Sequence, residues 1–72
     1  MQIEAVNKLI SEGYTQLNSS IIGANYKEKF VRGNETVAYR SETGLFYYNS
    51  GDGNYEVWEF SNDVFYEIQE VE

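Results

Sequence analysis

Residues 45–72 carry seven carboxylates, Asp52, Glu56, Glu59, Asp63, Glu67, Glu70 and Glu72, and no lysine or arginine. Carboxylates offer three kinds of chemistry: acid and base work, metal binding, and attraction of a cationic partner. Acid–base catalysis needs one member of a pair desolvated in a cleft. A chain of 72 residues leaves little volume for a cleft beside a core. The chain has no cysteine and no histidine, so thiolate metal sites, thiol nucleophiles and the commonest neutral-pH base are excluded. Its serines and tyrosines therefore have no imidazole to activate them. No catalytic residue is assigned, and the chain reads as a non-enzyme.

Asn49-Ser50-Gly51-Asp52-Gly53-Asn54 has a faint likeness to a calcium loop. Calcium loops of that type need several acids at alternating positions and a distant bidentate glutamate, whereas here one aspartate stands among glycines. The segment reads as a hairpin turn, and no metal ligand or cofactor-binding residue is assigned. Gly13 closes a helix rather than opening one, so it makes no phosphate cradle.

The remaining use of the carboxylates is attraction, and its address depends on the elements that hold them. Ile3, Val6 and Ile10 recur at helical spacing, with Ala5 and Leu9 beside them and polar residues opposite, which predicts an amphipathic helix over residues 2–12. Gly13 sits where a left-handed capping residue belongs and Tyr14 where its hydrophobic contact follows. Beyond it, short runs rich in Tyr, Phe, Val and Thr alternate with Gly33-Asn34, Thr43-Gly44, the 50–54 segment and Asn62-Asp63. These predict strands at 26–32, 35–42, 45–49, 55–61 and 64–71. Residues 14–19 have the composition of a further strand, and 19–25 read equally well as a loop. The expected fold is α+β: a single domain over residues 1–72, with the N-terminal helix packed on a four- to six-stranded antiparallel meander across about residues 26–71.

Pairing consecutive strands through these turns assigns each residue to a face by parity. One face collects Tyr26, Phe30, Val37, Tyr39, Phe46, Tyr48, Trp58, Phe60 and Phe65, and the helix is expected to cover it through Ile3, Val6 and Ile10. The other collects Lys27, Lys29, Arg40, Leu45, Tyr47, Tyr55, Val57, Glu59, Tyr66, Ile68 and Glu70, and is expected to face solvent. Glu56 and Glu67 fall on the opposite face from Glu59 and Glu70, so the charges wrap an edge instead of forming one row.

The formal net charge of −7 comes from 12 acidic and 5 basic residues, and the acids of residues 45–72 equal it in number. Crowded like charges destabilise a small domain unless something neutralises them. The plain alternative is that they serve turns, blunt an edge strand and keep the protein soluble. As a binding feature they suit a basic, nucleic-acid-contacting protein surface: seven charges match about 12 Å of duplex, and alternate strand residues lie about 6.7 Å apart. Tyr47, Tyr55, Glu59, Tyr66, Glu67 and Glu70 are the expected partner-binding residues, tyrosine offering contact area at low ordering cost. Direct nucleic-acid binding is disfavoured by the charge and by the lack of an aromatic RNA-binding motif.

In small size, acidic end and aromatic sheet the chain resembles phage-encoded inhibitors such as anti-CRISPR proteins, anti-restriction proteins and uracil-DNA glycosylase inhibitors. The likeness is compositional and assigns no residue a role. It implies an inhibitor that mimics nucleic acid. The alternative is an assembly module forming a homodimer through its last strand, and a third is a small-ligand binder using the tyrosine face. No apolar run has the length of a membrane span and the start lacks a signal-peptide pattern, so the expected location is the cytoplasm.

Overall fold

The structure is a computed structural model and describes residues 2–17 and 28–69. Helix α1 spans Ile3–Ser11. The strands β1 (Thr15–Leu17), β2 (Glu28–Arg32), β3 (Glu35–Arg40), β4 (Leu45–Asn49), β5 (Tyr55–Ser61) and β6 (Val64–Ile68) form one antiparallel sheet in sequence order. This is the expected α+β arrangement, with Thr15–Leu17 forming an edge strand within the described part of the 14–19 segment. The expected strand start at Tyr26 and strand end at Val71, the positions of Lys27, Glu70 and Glu72, and the 19–25 loop lie outside the described residues. Strand β3 stops at Arg40, not at residue 42, because Ser41–Gly44 turn the chain, with the Gly44 amide donating to the Arg40 carbonyl at 2.9 Å.

Parity places the core where the aromatic pattern put it. Phe30 pairs across to Val37, Val37 to Tyr48, Tyr39 to Phe46, Phe46 to Trp58 and Phe60 to Phe65. Phe30, Val37 and Phe46 are buried with Ala5, Leu9 and Tyr14, and Phe60 and Phe65 pack against them. Phe65 meets Phe46 edge-on at 5.0 Å and Phe60 at 4.9 Å, which draws β6 against the rest of the sheet.

The helix is rolled relative to expectation. Ala5 and Leu9 are buried with Val6 half-buried, whereas Ile3 is 63% and Ile10 50% exposed. Burying Leu9 completely is worth about 1.5–3 kcal/mol, and Ala5, with nothing beyond its Cβ, lets the backbone come close to the sheet. The roll is fixed at the C-terminal end. Gly13 takes φ 97°, its amide bonds the Ile10 carbonyl and the Tyr14 amide bonds the Leu9 carbonyl, both at 3.0 Å, a Schellman cap that drops Tyr14 into the core.

Arg32 holds this cap to the sheet. Its Nη1 donates to the Glu12 carbonyl at 2.7 Å, its guanidinium lies 4.3 Å from the Tyr14 ring centroid, and Nε and Nη2 donate to both oxygens of Glu35 at 2.9 and 3.1 Å. Arg32 and Glu35 face each other across Gly33-Asn34, where only the first residue has positive φ (59°), the pattern of a type II′ turn. Glu35 also accepts the Tyr48 hydroxyl at 2.7 Å. At the same end of the sheet Gly51 lies so close to this turn that a Cβ there would meet the Asn34 carbonyl oxygen at 2.5 Å.

The Arg32 bond, then the Tyr48 bond, hold the Glu35 carboxyl below its ordinary value of 4.5, and the Glu35 bond pushes the Tyr48 phenol from 10 up to about 12. A depressed acid stabilises the fold above its unfolded value and loses that contribution as pH falls through the folded one. A raised phenol contributes fully below 10 and loses the contribution as pH rises toward 12. Glu35→Gln is therefore expected to flatten the acid limb of a stability-versus-pH curve and Tyr48→Phe the alkaline limb, measured by denaturant unfolding from pH 2 to 12. A separate expectation concerns the β5–β6 turn, where Asn62 and Asp63 both take positive φ (53° and 63°), the type I′ pattern. Asp63→Gly removes the left-handed penalty at the second position and is expected to raise stability by about 0.5–1 kcal/mol in the same assay.

Candidate functional site

The acidic hairpin β5–β6 ends the sheet, and its faces divide the carboxylates. Glu59 pairs with Tyr66, so both sit on the face away from the helix, with Val64 two residues along β6 and Tyr55 four residues along β5 on the same face. Tyr55 is 57% and Tyr66 47% exposed. Glu67 pairs with Trp58 and therefore sits on the helix side, one step diagonally from Glu56. Of the expected contact residues, the structure thus pairs Glu59 with Tyr66, puts Tyr55 on the same face about 13 Å further along β5, and places Glu67 on the reverse of the same hairpin. Glu70 lies outside the described residues.

Tyr47 is corrected. It is on the open face as parity requires, yet it is buried, as is its cross-strand partner Val57. The Thr43 hydroxyl lies 3.3 Å from its hydroxyl, the Arg40 guanidinium 5.5 Å from its ring centroid and the Tyr55 ring 6.3 Å away. These neighbours make Tyr47 a packing residue of a second, smaller core, and at the hairpin end of the sheet the exposed residues of this face are Tyr55, Glu59, Val64 and Tyr66.

On the reverse side, α1 and the hairpin border an open groove lined by Lys8, Glu12, Glu56, Trp58, Phe65 and Glu67, among others. Trp58 forms part of its wall and is held on two sides. Its ring stacks on Tyr48 at 4.7 Å and 15°, and its indole N–H donates to Glu56 Oε1 at 3.0 Å. Sequence reasoning placed Glu56 and Trp58 on this face but assigned neither to a site, and it did not find Glu12. The available signals were the shared sheet face of Glu56, Trp58 and Glu67 in the hairpin register, and the four-residue step from Lys8 to Glu12, which puts both on one side of the helix.

Charge is segregated in space as in sequence. The ion pairs between described residues are Arg32–Glu35 at 2.9 Å and Arg40–Glu42 at 3.5 Å, both outside the hairpin. Among the described residues no cation lies within ion-pair distance of Asp52, Glu56, Glu59, Asp63 or Glu67. Asp52 belongs to the turn: it accepts the Ser50 hydroxyl and, at 3.4 Å, the Asn54 amide, and these bonds hold its carboxyl below the usual value. Among the described residues Glu56 accepts only the indole N–H. Glu59, Asp63 and Glu67 have no hydrogen-bond partner among the described residues. No group of three or more potential metal ligands occurs among the described residues, and no described helix is long and apolar enough to cross a membrane.

Comparison with protein-family models, curated proteins and solved structures finds no match to this chain. The surface must therefore be read from its own chemistry. Glu56 and Glu67 stand diagonally across neighbouring strands without a counterion, so Glu67→Lys replaces a repulsion with an attraction. It is expected to stabilise the fold by about 0.2–1 kcal/mol at low salt, with the gain shrinking as salt is added. Thermal unfolding of the variant across a salt series checks this.

Proposed function

We propose that this chain is a non-catalytic protein-binding module whose β5–β6 hairpin enters a basic, nucleic-acid-contacting cleft of a larger protein and blocks it. The carrying observation is the set of hairpin carboxylates without a cation among the described residues, while Arg32 and Arg40 are engaged with acids elsewhere. An edge acidic on both faces suits a concave surface better than a flat one, because only a cleft reaches Glu59 and Glu67 at once. Exposed Tyr55 and Tyr66 supply the contact area that slows release, and the carboxylates speed encounter. An inhibitor of the nucleic-acid-mimic kind is the activity this arrangement serves.

The homodimer reading has one observation in its favour: β6 ends the sheet, and no described strand pairs with its outer edge. The two readings respond oppositely to salt. Pairing two copies of β6 brings Glu67 near its own image and strengthens as salt rises, whereas capture by a basic cleft weakens.

The test is a pull-down from bacterial lysate at low and high salt, with nuclease, followed by competition against a labelled oligonucleotide for the captured protein. Binding is expected to fall at least about ten-fold when Glu59, Glu67 and Glu70 are changed together to Lys, to weaken with salt, to survive nuclease, and to displace the oligonucleotide. Salt-insensitive capture, or capture that leaves the oligonucleotide bound, overturns the proposal.

A further inference from the structure

Resting on that reading, we infer a specific mode of recognition: the outer edge of β6 accepts an extended segment of the partner as a seventh strand, with lysine or arginine alternating with β-branched or apolar residues. Backbone hydrogen bonds alternate in direction along an antiparallel strand. Asn62-Asp63 is a two-residue turn closed by Ser61 and Val64, so that pair exchanges both of its backbone bonds, and the bonded pairs then recur as Glu59 with Tyr66 and Val57 with Ile68. The pairs between them, Phe60 with Phe65 and Trp58 with Glu67, are the unbonded kind. The amides and carbonyls of Phe65 and Glu67 consequently point away from β5, toward the outer edge.

Among the described residues no other element covers that edge, and its one charge is Glu67. The β5–β6 register runs without a bulge from Ser61 opposite Val64 to Val57 opposite Ile68, and β6 contains neither proline nor lysine. Its charge decides which strand it accepts. Side chains of an added strand alternate between the two faces. Residues bonded to Phe65 and Glu67 project to the helix side, beside the groove where Glu12, Glu56 and Glu67 outnumber Lys8. Cations belong there, with the Trp58 wall offering an aromatic surface as well. The intervening residues project to the open face beside Val64, Tyr66 and Ile68, where β-branched and apolar side chains extend the existing surface. A second copy of β6 would place Glu67 where a cation is required, so the occupant is a basic strand from another protein.

The probe is a capped seven-residue peptide with lysine at each odd position and valine or threonine at each even one. Two controls carry the same composition: one with the lysines in a block, one N-methylated at the lysine amides, which are the ones that face β6. Binding is followed by calorimetry and by amide hydrogen exchange in NMR. In the free protein Phe65 and Glu67 are expected to exchange at least about ten-fold faster than Tyr66 and Ile68. The alternating peptide is expected to slow Phe65 and Glu67 by at least about ten-fold, and each control to bind at least about ten-fold more weakly. Glu67→Gln is expected to weaken the alternating peptide several-fold while exchange in β3 and β4, a check on folding, stays unchanged.

Equal binding of the N-methylated peptide, or binding without slowing at Phe65 and Glu67, overturns strand addition while leaving the basic-cleft reading intact. Protection of these two amides that grows with protein concentration and needs no peptide shows a second copy on the edge and also overturns it. Partner capture that fails in the lysate experiment overturns the broader reading independently.

Discussion

The two hydrogen bonds between Arg32 and Glu35 are the constraint on which the rest of the molecule is arranged. A nine-residue helix has little stability alone and must borrow it from packing. Arg32 supplies that by bonding the last turn of α1 through the Glu12 carbonyl and lying over Tyr14, while Glu35 fixes the guanidinium from the neighbouring strand. Glu35 passes the restraint on to Tyr48, whose ring stacks on Trp58, which in turn bonds Glu56. A continuous set of contacts therefore runs from the helix cap to the wall of the acidic groove.

The same arrangement explains why charge is unevenly spent. Arg32 is consumed by architecture, and Arg40 sits beside Glu42 and over Tyr47. The hairpin is held instead by aromatic packing of Phe60 and Phe65 and by its turn, which leaves its carboxylates free of structural duties other than those of Asp52 in the loop before it and of Glu56 at Trp58.

Much of the fold was legible because turn chemistry and strand alternation are local. Gly33-Asn34 and Asn62-Asp63 fixed two registers, and those registers sorted Phe30, Val37, Phe46 and Phe65 onto the buried face. The roll of α1 was not legible, since Ile3 and Ile10 are the more hydrophobic choice by type, and only the three-dimensional cap at Tyr14 and Arg32 turns Ala5 and Leu9 inward. Tyr47 was misread for a related reason: its cover comes from Thr43, Arg40 and Tyr55, which a face assignment by parity does not weigh. The split of the acids between two faces was readable, whereas the groove was not, because Glu12 reaches it from a separate element.

Trp58 is the sole indole in the sequence, and it stands in the wall of that groove with Tyr48 stacked on it and Glu56 bonded to its nitrogen. Ultraviolet light absorbed by the neighbouring tyrosine has a short path to it, and the polarity around its nitrogen changes when water there is replaced. The molecule thus carries an intrinsic fluorophore at the place where an arriving chain would be felt, and emission colour can be followed without any attached dye.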